Sequence, residues 1–412
     1  MNKYLVLILG IILFKYLLNL IVEILNIKYV NPRLPEELIG YYEAEKYKKS
    51  QLYLKEKTNF SLIEDTLMTV ITVGFILYGG FNLVDGIARG FGYGTIISGL
   101  IFLGILMLAS QILNIPFSVY QTFVIEQKYG FNKTTIKTFI ADIVKGMLIG
   151  ALIGGIAFAG ILWFFEKTSS LAWLYCWTAL TVFQLFLMFI APVVIMPLFN
   201  KFIPLEDGAL KQTLEKYART QNFKMQGVFT MDGSRRSTKS NAFFTGFGKF
   251  RRIALFDTLI AKHTTDELVS VLAHEIGHYK KKHILKSIFI SIATTGLMFF
   301  VLSFFLNNPG VFAAFKMKHT SIYASLVFFG FVYAPINMLF SIVGSILSRK
   351  HEYEADRFAV ETYKKPDAFI DALKKLTVDN LSNLTPHPAK VFLAYSHPPV
   401  LLRIKAIRNY AK

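Results

Sequence analysis

The sequence predicts a mainly α-helical polytopic membrane protein with a small α+β portion outside the lipid. Three observations carry that class. Hydrophobic residues make up 53% of the 412 and mean hydropathy is +0.45, too apolar for an ordinary soluble chain. Seven separated apolar stretches each supply the roughly 20 residues that cross a ~30 Å hydrocarbon core. Charged segments between and after them hold β-like runs and the sequence His274-Glu275-Ile276-Gly277-His278.

The spans are expected at 4–26, 66–86, 95–115, 141–165, 170–198, 285–306 and 322–347. The first is expected to be retained rather than cleaved as a signal. Only Lys3 precedes it, and Lys28 and Arg33 follow it without an A-x-A site, so it reads as a retained anchor. Lys46, Lys48, Lys49, Lys55 and Lys57 follow span one, and Lys128, Lys133 and Lys137 follow span three. The alternate connections carry less positive charge: Arg89, Lys167, and Lys316 with Lys318. By the preference of Lys and Arg for cytoplasmic loops, the N-terminus is expected outside and the C-terminus in the cytoplasm. The net charge of +18 is read the same way, as cations facing anionic lipid headgroups, with no nucleic-acid partner. The one cysteine, Cys176, allows neither an intrachain disulfide nor a Cys-x-x-Cys metal knuckle.

Four segments follow: spans one to five at 1–198, a soluble segment at 199–284, spans six and seven at 285–347, and a second soluble segment at 348–412. The helical hairpin returns the last segment to the face that 199–284 left. The first soluble segment opens with a charged helix around Leu210–Thr220 and continues with strands near Val228–Met231, Asn241–Phe244 and Arg252–Phe256. Gly246-Phe247-Gly248-Lys249 reads as a hairpin turn between the last two.

Thr264 and Glu267 have capping-box spacing and open a helix through Leu268, Val271, Leu272 and Ile276. His274 and His278 lie one turn apart on it, so both imidazoles reach one ion. Glu275 reaches a water on that ion without ligating it. Gly277 weakens the helix and marks a close approach by another backbone. The competing reading is two interfacial histidines beside Lys280, Lys281, Lys282 and His283.

A catalytic zinc of this kind takes three protein ligands and keeps one position open. Beyond span seven, Glu352 and Asp356 share one helical face with Arg349, Ala355 and Ala359, while Glu354 points roughly 160° from Glu352. Glu352 is the expected third ligand. Asp356 is placed to accept a hydrogen bond from a ligating imidazole, and the two alanines allow helices to pack closely. His351, about 100° from Glu352 on a helix, is the rival ligand. His263, His283, His319, His351 and His387 are read as surface or interfacial groups.

These residues make the chain similar to the type I CAAX prenyl proteases, multi-spanning zinc metalloproteases that process isoprenylated C-terminal peptides. The likeness covers nearly the whole chain. It runs through Glu126-Gln127-Lys128-Tyr129-Gly130-Phe131-Asn132, Asn241-Ala242-Phe243-Phe244-Thr245-Gly246, and Arg251-Arg252-Ile253 with Leu255-Phe256-Asp257-Thr258-Leu259. It continues through the 274–278 motif, the Glu352–Asp356 run and Ser396-His397-Pro398-Pro399. The resemblance implies a zincin-like metalloprotease domain, with Asn241, Ala242 and Phe243 on an edge strand that holds substrate. It also implies that His397 contacts the reacting carbonyl, and that the spans enclose a chamber. The expected reaction is peptide hydrolysis with one Zn2+ on His274, His278 and Glu352, Glu275 as general base, and His397 stabilising the oxyanion.

The expected partners are a peptide or protein substrate, prenylated in the favoured case, and membrane lipid. A monomer is expected, as is a bacterial inner membrane over the endoplasmic reticulum, since no retrieval signal is seen. One alternative is a quality-control protease acting on misfolded membrane proteins. A remoter one is a transporter or scaffold with no activity.

Overall fold

The computed structural model describes residues 2–168, 170–245 and 252–412. The hairpin turn expected at 246–249, and Arg251, lie outside the described residues. Helix α1 (Lys3–Lys28) starts at Asn2, whose side chain accepts from the backbone N–H groups of Tyr4 and Leu5. Helix α2 (Ala44–Leu77) differs from the span expected at 66–86. Neither glycine nor proline interrupts the sequence before Gly74, so the helix takes in Lys46 to Lys57, read from sequence as a loop. Hydropathy reports where lipid begins, whereas helix propensity carries the helix well beyond it. The end is set by Gly79, whose φ of +75° lies in the left-handed region. Helix α3 (Gly80–Gly90) follows, burying Phe81, Val84, Asp85 and Ala88 on one face.

Helix α4 (Thr95–Tyr120) ends in a π-helical turn, Gln121–Glu126. Glu126 on that turn accepts from Tyr53 of α2 at 2.5 Å and from Lys239 at 2.8 Å. This joins two spans to the approach of the sheet. Helix α5 (Ile136–Lys167) carries Asp142, which holds the Arg236 guanidinium through two bonds of 2.7 and 2.9 Å. Helices α6 (Ala172–Ile190) and α7 (Met196–Phe199) are joined by a π stretch containing Pro192.

The soluble part holds β1 (Phe202–Pro204), α8 (Ala209–Thr220), β2 (Gly227–Met231), β3 (Ala242–Thr245), β4 (Arg252–Phe256) and α9 (Asp257–Ile260). The sheet order is β1-β2-β4-β3. The β3–β4 pair is the expected antiparallel one; β2 and β4 run parallel, and β1, which sequence reading did not find, pairs antiparallel with β2. β1 and β3 are therefore the sheet edges.

Helix α10 (Thr265–Lys280) opens with the expected capping box: Thr264 caps the Glu267 N–H and the Glu267 carboxylate accepts from Thr264 N–H. Its Leu268, Val269, Leu272, Ala273 and Ile276 are buried against Val228, Ile253 and Leu255 of the sheet. Each large side chain so buried contributes roughly 1.5–3 kcal/mol. The remaining elements are α11 (His283–Ser303), α12 (Pro309–Ala314), α13 (Ile322–Tyr363), α14 (Pro366–Asp379), α15 (Pro388–Ala394) and α16 (Val400–Tyr410). Helix α13, 42 residues long, runs on from its apolar half to bring Glu352 and Asp356 alongside α10. The two helices cross at Gly277, where a Cβ would come within 3.1 Å of both Cα and the carbonyl oxygen of Ala355. The glycine is the condition of the crossing.

Among the described residues, seven helices are long and apolar enough to cross a membrane, and between 0% and 17% of each apolar window is buried.

Candidate metal and catalytic site

The crossing of α10 and α13 decides what meets what. One turn separates His274 from His278 and another separates Glu352 from Asp356, so two residues from each helix face one point. His274 Nε2 and His278 Nε2 are 3.1 Å apart. Glu352 Oε2 lies 3.4 Å from the first, and Glu352 Oε1 lies 3.2 Å from the second. These three residues can each offer one ligand atom within 4.8 Å of the others. Glu352 is 4% exposed, and its buried Oε2 makes no hydrogen bond, only long contacts of 3.4 Å to His274 Nε2 and to the Arg403 guanidinium. A buried, unsatisfied carboxylate oxygen is costly, and a cation among these donors would satisfy it. The set fits a metal ion.

Asp356, fully buried, accepts from His274 Nδ1 at 2.9 Å. Burial disfavours charge on His274, but its pairing with the Asp356 and Glu352 carboxylates outweighs it and lifts the imidazole pKa to about 9. The carboxylates thus demand positive charge at this point, which a proton or a metal cation supplies. Glu275 follows His274 on the same helix; burial raises its carboxyl above the ordinary range, against the pull of the His274 and His278 imidazoles.

His397, on the loop between α15 and α16, brings Nε2 to 3.4 Å from Glu352 Oε1 while its side chain stays 63% exposed. Ser396 Oγ lies 2.9 Å from its Nδ1. The loop reaches the zinc-ligand candidates from the solvent side. Asn241, Ala242 and Phe243 lie elsewhere, at the open edge of the sheet. β3 runs beside α10, with the Phe244 and Tyr279 rings 6.4 Å apart. The Asn241 carbonyl accepts from Phe256 N–H, so by the alternation of an antiparallel ladder the main-chain groups of Ala242 and Phe244 face away from β4. Asn241 Oδ1 already accepts from Ala242 N–H at 2.9 Å. A cleft of about 690 Å3 beside this edge is lined by Asn241, Lys239, Lys57, Thr58, Asn380 and Tyr395, among others.

Sequence reading missed Arg403. Its guanidinium, 11% exposed, binds Asp356 through two bonds of 2.6 and 2.9 Å and lies 3.4 Å from Glu352. Burial works against its charge, but Asp356 and Glu352 hold it protonated above the usual arginine value. The only signal was its place beside Ile404 and Ile407 on the buried face of α16. Two of the histidines read as surface or interfacial groups are buried: His263 at 8% exposure and His283 at 3%. His263 Nδ1 bonds the Leu259 carbonyl at 3.0 Å, within its own turn of chain.

A family model described as "CAAX prenyl protease N-terminal, five membrane helices" matches residues 23–201, and one described as "Peptidase family M48" matches residues 204–411. The chain belongs to peptidase family M48. The resemblance read from the motifs therefore stands, and the protein is a multi-pass membrane metallopeptidase. Within the M48 family it is 36% identical over 389 residues to "CAAX prenyl protease 1 homolog" of Oryza sativa subsp. japonica, covering 92% of this chain and 91% of that one. It is 34% identical over 401 residues to "CAAX prenyl protease 1" of Saccharomyces cerevisiae, covering 91% and 88%. The crystal structure of S. mikatae Ste24p superposes with a TM-score of 0.92 at 32% identity, over 99% of both chains. The crossing of α10 and α13 lies within the part of the chain that the M48 family model matches.

Proposed function

We propose that the chain is a zinc-dependent endopeptidase that cleaves CAAX-type peptides, as the names of its relatives indicate, with the ion held by His274, His278 and Glu352. The donor triangle carries this reading. Zinc bonds of about 2.0–2.2 Å at tetrahedral angles set neighbouring donors roughly 3.3–3.5 Å apart, close to the separations of 3.1, 3.2 and 3.4 Å. Two imidazoles and a carboxylate also argue against calcium or magnesium, which take oxygen ligands. Bound there, zinc would lower the pKa of water and polarise the scissile carbonyl. Asp356, accepting from His274 Nδ1, keeps the Nε2 lone pair aimed at the triangle. Glu275 takes the proton of the attacking water and returns it to the leaving amine. His397, exposed on its loop beside Glu352, donates to the oxygen on which charge develops. Substrate lies extended along β3 as an added strand, its backbone pairing with the outward groups of Ala242 and Phe244. To use the Ala242 N–H, it must displace the Asn241 side chain. The peptide's lipid is placed among the seven apolar helices, which are long enough to cross a membrane. Every donor comes from one chain, so a monomer suffices.

Purified protein should cleave a farnesylated CAAX peptide several-fold faster, in kcat/KM, than the matched unprenylated one. Equal rates would remove the prenyl-peptide preference and favour a quality-control protease with the same site. We also infer that residues 199–284 and 348–412 face the cytoplasm, from the lysines between α1 and the apolar half of α2. Single cysteines placed at the exposed Lys49 and Lys318 test this. A membrane-impermeant maleimide on intact cells should label position 318 and spare 49, and the reverse pattern would invert the orientation.

A further inference from the structure

His278 and His283 are five residues apart, and on one continuous helix they would point roughly 140° from each other at ~100° per residue. The helix is not continuous. Helix α10 ends at Lys280, α11 begins at His283, and Lys282 between them takes left-handed φ and ψ of 59° and 31°. That turn folds the His283 ring back over the one before it. His283 Nδ1 comes to 3.1 Å from His278 Nδ1, and His283 Nε2 lies 3.0 Å from Glu354 Oε2. The ring is 3% exposed. It stacks on His351 with centroids 4.0 Å apart and 12° between planes, which fixes its orientation.

Two nitrogens at 3.1 Å share one proton, and the partners decide where it sits. His278 turns Nε2 towards His274 and Glu352, so its proton is on Nδ1 and is donated to His283 Nδ1. His283 then carries its own proton on Nε2 and donates to the Glu354 carboxylate. We propose that His283 and Glu354 are positioning residues for His278, a relay that fixes its tautomer and ring plane as Asp356 does for His274. The proposal rests on the zinc-site reading above. Each imidazole is then backed by a carboxylate. One is buried and paired with Arg403; the other is reached through His283 and sits 33% exposed beside Lys286 and Lys350, at 4.0 Å from each.

His283→Phe keeps a ring against His351 and removes both hydrogen bonds. His283→Gln restores an acceptor and a donor. Zinc affinity by chelator competition, the visible spectrum of the cobalt-substituted protein, and kcat and KM are the readouts. His283→Phe should weaken zinc binding roughly 10–100-fold, lower kcat, and shift the cobalt bands, with KM little changed. His283→Gln should recover most of the affinity and the spectrum. Glu354→Ala, at a partly exposed position, should move zinc affinity in the same direction by a smaller factor. Wild-type zinc affinity and cobalt spectrum in His283→Phe overturn the proposal. So does a folded His283→Gln that recovers nothing, because the role would then be packing. If His283→Phe fails to fold, unchanged zinc affinity in Glu354→Ala overturns it. Failure of the underlying zinc reading looks different: the wild type and His274→Ala would then bind zinc equally poorly.

Discussion

Glu275→Gln is expected to lower kcat for peptide cleavage by roughly 10²–10⁴-fold while leaving zinc content, thermal stability and KM near wild type. Glutamine has the same shape and cannot accept a proton, so the substitution removes the base and little else. Glu275 is next in sequence to His274 yet outside the donor triangle, and burial raises its carboxyl above the usual carboxylate range. A base whose affinity for protons is raised towards neutral pH is better matched to taking one from water and handing it to an amine. Steady-state kinetics on a single peptide, with metal analysis of the same preparation, check this. Activity within a few-fold of wild type, at full zinc, would assign the proton transfer to another group.

Arg403→Met carries the second large effect. Methionine fills much of the arginine stem's volume but leaves Asp356 at 0% exposure and Glu352 at 4% without their guanidinium. Removing one partner of a buried ion pair costs about 3–5 kcal/mol, seen as a clear fall in Tm in detergent with chelator present. With zinc added the fall should shrink, because the ion supplies part of the missing charge. The double variant Arg403→Met with Asp356→Leu should regain stability, since an apolar pair tolerates that burial. It should not regain activity, because His274 Nδ1 has then lost its acceptor. Equal Tm in Arg403→Met and wild type would remove this electrostatic account.

The sequence was legible wherever the physics is local. Thr264 and Glu267 are three residues apart and form the capping box they advertise. Gly277 in a helix announced a close backbone, and it meets Ala355. The place of Glu352 beside His274 and His278 followed from antiparallel spans that return the chain to the same face. What was hidden depends on distant partners or on backbone geometry without a residue signature. Arg403 is 47 residues from Asp356 and 129 from His274, and one arginine in a basic tail carries no periodic signal. The contact between His278 and His283 needs a left-handed Lys282, where the expected residue is Gly or Asn. Reading by helical angle therefore separated two rings that touch. The N-terminal extension of α2 was hidden for the opposite reason, since its charged residues are good helix formers and hydropathy is blind to them.

The most direct test of the central claim is metal content of detergent-purified protein prepared without chelator, wild type against Glu352→Gln. One zinc per wild-type chain is predicted, with zinc and proteolysis lost together in Glu352→Gln and activity restored to chelator-stripped wild type by zinc. Stoichiometric zinc and full activity in Glu352→Gln would contradict the assignment of the third ligand to α13, and with it the site built here on the crossing of α10 and α13.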